Sequence, residues 1–204
     1  MSDSAPQLAL LCAAFWTAVF LYRGERPQRF VAGLGLGAVA GHLGWAALHA
    51  PEVWVHPWVL LDPAVGFCVL FVPLGLLLCE RSAAAFRTLP LALAVARLGC
   101  TAAGCCHGTP TALPWAVGGL HPTPLYEIVG LLMLHAASRG VSDGWLVPCV
   151  LGGLGLVRLV VDPLRAAPAL AEPLLPSAWI AGAWVALALT WLTRRLGPAV
   201  ALRR

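Results

Sequence analysis

Of 204 residues, 60% are hydrophobic and only 11% charged, at a mean hydropathy of +0.83, whereas soluble domains carry roughly a quarter charged residues. That balance rules out a soluble globular domain and describes an integral membrane protein. The net charge of +4 comes from thirteen arginines, without a lysine, set against nine acids and spread along the chain; without a basic patch interleaved with aromatics, nucleic acid is excluded as a partner.

The N-terminal run MSDSAPQLALLCAAFW has no positive n-region and no A-x-A cleavage site ahead of its apolar stretch, so it reads as a first span and not a removed signal peptide. A helix needs about 20 apolar residues to cross a bilayer, and hydrocarbon offers no partner to a free backbone amide, so each span is expected to be helical. With Arg, Glu and Pro clusters as punctuation, spans are expected at 6–22, 30–49, 57–79, 89–106, 122–138, 144–163 and 177–194, the fifth having the shortest apolar part. The expectation is an all-α polytopic membrane protein of seven transmembrane helices, one domain over 1–204, with no internal repeat.

Arginine placement orients the spans. Arg23, Arg26 and Arg29 follow the first, Arg81 and Arg87 the third, Arg139 the fifth, and Arg194, Arg195, Arg203 and Arg204 the seventh, while the segments 50–56 and 107–121 hold none. Cytoplasmic loops carry the Lys/Arg excess. The N-terminus is therefore expected outside and the C-terminus in the cytoplasm.

Three arginines remain. Arg97 in LPLALAVARLGC and Arg158 in LGGLGLVRLVVDPLR lie within spans, where an Arg costs about 2.5–3.5 kcal/mol on the insertion scale and marks a protein interior or wet cavity. Asp162 follows Arg158 by four residues and Arg165 by seven, one helical face, so Asp162 can partner either arginine. Two readings stand side by side: a buried ion pair that fixes helix packing, or guanidiniums that hold phosphate oxygens bidentately. Pro163 removes a backbone donor and is expected to kink or end the helix.

Three blocks in order, ARLGCTAAGCCHGTPTALPWAV, HPTPLYE and VRLVVDPLR, with a weaker echo in GHLGW, resemble the prolipoprotein diacylglyceryl transferases, seven-span enzymes of the bacterial inner membrane. The resemblance covers about residues 30–165. It implies transfer of a diacylglyceryl group from phosphatidylglycerol to the lipobox cysteine thiol of an exported prolipoprotein, with the signal peptide of that preprotein and membrane lipid as partners and no cofactor. By the same resemblance Arg97 and Arg158 bind the lipid phosphate and stabilise the leaving group, and Gly99, Gly104 and Gly108 admit close backbone approach; Cys100, beside them in sequence, is a candidate substrate-binding residue. His121, Tyr126 and Glu127 shape the outer mouth, His121 or Glu127 being the base, and Asp162 with Arg165 holds Arg158. This chain has Cys100 where the family has Asn, Cys105 where it has Glu, and no counterpart of the family's third-span histidine. A family paralogue with altered or no catalysis that binds an anionic phospholipid, and a small anion transporter lined by Arg97 and Arg158, are the alternatives.

Cys100, Cys105, Cys106 and His107 carry zinc-type donors, but the spacing is neither C-x-x-C nor paired with a second motif, and no metal is assigned. Small-residue packing, pocket lining, and metal or redox chemistry all remain open for these cysteines. Cys12, Cys68, Cys79 and Cys149 are expected in the core, His42, His49, His56 and His135 as packed or interfacial residues, and Trp54, Trp58, Trp115 and Trp145 as anchors near span ends.

Overall fold

A chain this apolar can leave its hydrophobic side chains outside and must enclose its charges. The computed structural model describes residues 4–48, 55, 68–166 and 176–201. Among the described residues seven α-helices follow in order: α1 (Ser4–Leu21), α2 (Pro27–Leu48), α3 (Val72–Cys79), α4 (Ala83–Ala102), α5 (Thr123–Ser138), α6 (Asp143–Val161) and α7 (Pro176–Ala201). Short 3-10 turns, Val69–Phe71 and Asp162–Leu164, lead into α3 and out of α6. Pro27–Ala47, Ala83–Ala102 and Asp143–Leu164 are long and apolar enough to cross a membrane, and Ala9–Leu21 and Val69–Cys79 are shorter apolar helices. The surface is inverted relative to a soluble protein. Phe20, Leu78, Met133 and Trp179 expose 68–73% of their area while Arg97, Glu127, Arg158 and Asp162 expose 3–8%, which suits helices surrounded by lipid tails. Among the described residues the fold is all-α, and its three long apolar helices fit a multi-pass membrane protein.

α4 is the central helix and packs against α1, α5 and α6. Ser82 starts it, its side chain accepting from Ala85 N at 3.3 Å, an N-cap that satisfies one otherwise unpaired amide. One face after another is then buried, from Ala85 and Phe86 to Gly99 and Cys100. Elsewhere small residues let backbones meet: α2 and α3 touch through Gly33, Gly37 and Gly75, and a Cβ on Gly155 of α6 would stand 2.5 Å from the Ala181 carbonyl of α7. Tyr22 stacks on Phe30 with centroids 4.2 Å apart, folding the α1–α2 connection back on itself. Trp184 donates to the Leu70 carbonyl at 2.9 Å, tying α7 to the turn before α3.

The structure corrects the span boundaries. The expected 89–106 helix begins six residues earlier and ends at Ala102. Arg87 does not interrupt it: its guanidinium turns aside to Asp143 at 2.8 Å and to the Val141 and Ser138 carbonyls, so the charge is met without breaking the helix. The α-helix of the sixth span ends at Val161, where Pro163 lets the chain tighten into a 3-10 turn. Cys12 and Cys149, expected in the core, are exposed on the helix exteriors, because in lipid an apolar side chain has no need of burial. His135 meets the Arg87 carbonyl at 3.2 Å, and Trp145 packs edge-to-face on Trp191. Residues 57–67 of the expected third span, with Trp58, lie outside the described residues, as do His49, Trp54 and His56 ahead of it.

Candidate functional site

At the end of the bundle where α4 stops and α5 starts, five charged side chains from four segments converge. α4 contributes Arg97, α5 Glu127, α6 Arg158, and the turn after α6 Asp162 and Arg165. Glu127 is the hub. One carboxylate oxygen takes Arg97, and the other takes both Arg158 and Arg165, the latter at 2.8 Å. Arg158 Nε also faces Asp162 Oδ1 at 2.9 Å, and Asp162 Oδ2 accepts from Ser177 Oγ at 2.9 Å. Among the described residues, three guanidiniums against two carboxylates leave one surplus positive charge in a buried setting, where its field is weakly screened.

Asp162 therefore partners Arg158, as the four-residue spacing allows, while Arg165 turns to Glu127 instead. The expectation that Glu127 shapes an outer mouth is corrected: the residue is buried and surrounded by arginines, because a lone carboxylate in an apolar bundle is stable only when paired. Ser177 was not singled out in the sequence. An isolated serine ahead of an apolar helix carries no signal of the carboxylate it meets.

The segment between α4 and α5 is a small stitched cap. Val117 and Leu120 exchange backbone bonds of 3.1 Å around Gly118 and Gly119, both at positive φ, a tight hairpin turn that glycine permits. Gly108 donates to the His121 carbonyl at 2.8 Å and Thr109 to that of Leu164 at 2.9 Å, so the cap is pinned to the turn that bears Arg165. A Cβ at Gly108 would collide with His121 and lie 2.5 Å from the Leu164 carbonyl oxygen, the close approach expected of it. Gly104 is needed for another reason, its φ of +61, and Gly99 is buried in α4. His121 Nδ1 lies 3.2 Å from the Tyr126 hydroxyl, which accepts from Trp115 Nε1 at 2.9 Å.

Cys100 is buried beside Arg97, whose Nη1 reaches its sulfur at 3.6 Å. Despite their sequence spacing, the sulfurs of Cys100, Cys105 and Cys106 all lie within 4.8 Å of one another. Hydrogen bonds from Cys100 and Cys105, opposed by burial and aided by Arg97 and Arg165, hold the Cys106 thiol below the usual thiol range; bonds to Cys100 and Cys106 push Cys105 up. An apolar groove of about 530 Å³ runs between α1, α2 and α4, lined by Phe15, Leu34, Val39, His42, Leu93 and Ala96 and by none of the five clustered charges.

A family model described as prolipoprotein diacylglyceryl transferase matches residues 64–194, which include all five charged residues and the three clustered cysteines. A search of curated proteins found no match.

Proposed function

This chain belongs to the prolipoprotein diacylglyceryl transferase family, and from that premise we propose that it moves a diacylglyceryl group from phosphatidylglycerol to the lipobox cysteine thiol of an exported prolipoprotein. The reaction is placed at the outer leaflet of a bacterial plasma membrane. The observation that carries the proposal is the buried cluster of three arginines around Glu127, with its one surplus positive charge among the described residues. An anionic phosphodiester headgroup matches that charge, and the apolar groove between α1, α2 and α4 offers a separate surface that suits an acyl chain.

In this reading Arg97 and Arg158 contact the lipid phosphate and offset the charge that grows on the departing glycerol phosphate, a stabilisation that is strong where water is excluded. Glu127 positions them. Already shared by three guanidiniums, its carboxylate is a poor proton acceptor, which leaves His121 as the candidate base. In the tautomer that carries its proton on Nδ1, toward the Tyr126 hydroxyl, Nε2 is the accepting nitrogen. Asp162 orients Arg158, and Gly99, Gly104, Gly108 and Cys100 line the approach to the headgroup.

The test is to express the chain in a bacterial host depleted of its own enzyme and follow the lipobox cysteine by mass. A diacylglyceryl mass increment is expected, lost on His121→Ala. No increment at verified expression would leave a family member that binds anionic lipid without this transfer.

A further inference from the structure

Two separate backbone devices bring the three thiols together. α4 ends in a Schellman motif: Cys105 N donates to the Cys100 carbonyl at 3.0 Å and Gly104 N to that of Thr101 at 3.2 Å, with Gly104 at φ +61. That motif characteristically sets the residue two beyond the cap against the last turn, here Cys105 against Cys100. Cys106 then adopts φ 62, the one non-glycine residue at positive φ among the described residues. A cysteine in that region is strained, and strain persists where the surroundings impose it, often at functional sites.

The arrangement has the dimensions of a metal site. Zinc–sulfur bonds of about 2.3 Å place the sulfurs of a tetrahedral site about 3.8 Å apart, and these three lie within 4.8 Å. Charge selects the ion. Three thiolates around a divalent ion carry one net negative charge, which matches the single surplus positive charge of the adjoining arginine cluster, linked through Arg97 and Cys100. A monovalent ion would leave two. No fourth His, Cys, Asp or Glu joins the group among the described residues, and three protein ligands with an open position mark a zinc site that takes a substrate.

We propose that Cys100, Cys105 and Cys106 hold a zinc ion whose open fourth position takes a substrate thiol as its thiolate. The identity of the acceptor as a thiol rests on the function proposed above; the metal site does not. On coordination, a zinc–sulfur bond replaces a zinc–water bond and the thiol proton passes to the base proposed above, His121, and from it to solvent, since a metal-bound thiol is deprotonated outright. The sulfur lone pair then attacks the glyceryl carbon. A carbon–sulfur bond forms, the carbon–oxygen bond breaks with its pair on the phosphate oxygen, and the neutral thioether departs as water returns to the metal.

The experiment uses the full chain, purified reduced in detergent, with zinc(II), with cobalt(II) as a spectroscopic probe, and with N-acetylcysteinamide as the thiol. One zinc per chain is expected, and the cobalt form should show thiolate charge-transfer absorption with intense four-coordinate d–d bands. Cys105→Ser and Cys106→Ser should each weaken zinc binding at least tenfold at unchanged helical circular dichroism, and the thiol, unlike its serine analogue, should shift the d–d bands. Zinc below a tenth of an equivalent in the reduced protein, or zinc binding by both variants as tight as the parent's, would overturn the site. Cobalt bands indifferent to the thiol would overturn its role in taking up a thiol. Thiol-responsive cobalt bands in a protein that modifies no lipobox cysteine would uphold this inference and remove the transfer reading instead.

Discussion

Arg158 lies between two carboxylates, Glu127 and Asp162, and uses two different nitrogens to reach them. A lysine has the charge but not the fork. Arg158→Lys is therefore expected to lower transfer activity at least about tenfold, the equivalent of about 1.4 kcal/mol in the barrier, measured as the initial rate of lipobox modification. Activity that survives the exchange intact would mean the guanidinium only packs helices. Glu127 shows its importance in stability. Glu127→Ala strips the shared counterion from three guanidiniums, and breaking a buried ion network by removing one partner costs about 3–5 kcal/mol. Chemical denaturation in detergent should register that loss, with Glu127→Gln in between; an alanine variant as stable as the parent would show that water reaches the cluster. Arg97, Arg158 and Asp162 could be picked out in the sequence because a charge in an apolar run is conspicuous. The role of Glu127 could not, because its three partners are 30 to 38 residues away in sequence or on other helices.

Helix contacts in this protein depend on what is missing from them. Gly75 of α3 sits against the Gly33 carbonyl and the Gly37 backbone of α2, and an added Cβ there would approach closer than real Cβ atoms do, against backbone that cannot rotate away. Gly75→Ala should separate α2 from α3 and destabilise the protein by about 1–3 kcal/mol, the usual cost of overpacking. Thermal unfolding in detergent checks it, and an unchanged midpoint would mean that the two helices can part freely. The same reasoning explains why element ends were harder to read than element interiors. Hydropathy placed a helix around residues 89–106, but Ser82, a cap outside the apolar run, sets its start, and the left-handed Gly104 sets its end. Both signals are single residues, and in a chain with 21 glycines one more glycine does not stand out.

Across the bundle, the arginine distribution predicts which way the chain threads the membrane. A reporter fused after Leu120 should read as extracytoplasmic and one fused after Arg139 as cytoplasmic, since the α5–α6 connection follows the Lys/Arg bias and the α4–α5 cap has no arginine. The reverse pattern would place the arginine cluster at the inner leaflet and end the proposed encounter with exported preproteins. Composition determined the solvent of this protein, and its continuous apolar runs determined that the spans are helices, because hydrocarbon tolerates no unpaired backbone and a run without polar alternation does not suit a barrel strand. Local spacing narrowed the partners of Asp162 to Arg158 and Arg165, which share its helical face, and the tertiary structure gave it Arg158 and turned Arg165 to Glu127. The tertiary structure alone decided that Glu127 gathers three arginines and that Cys100, Cys105 and Cys106 form one cluster. Those meetings depend on how far each helix is rotated about its own axis and on the two left-handed residues that end α4, and a linear hydrophobic pattern encodes neither.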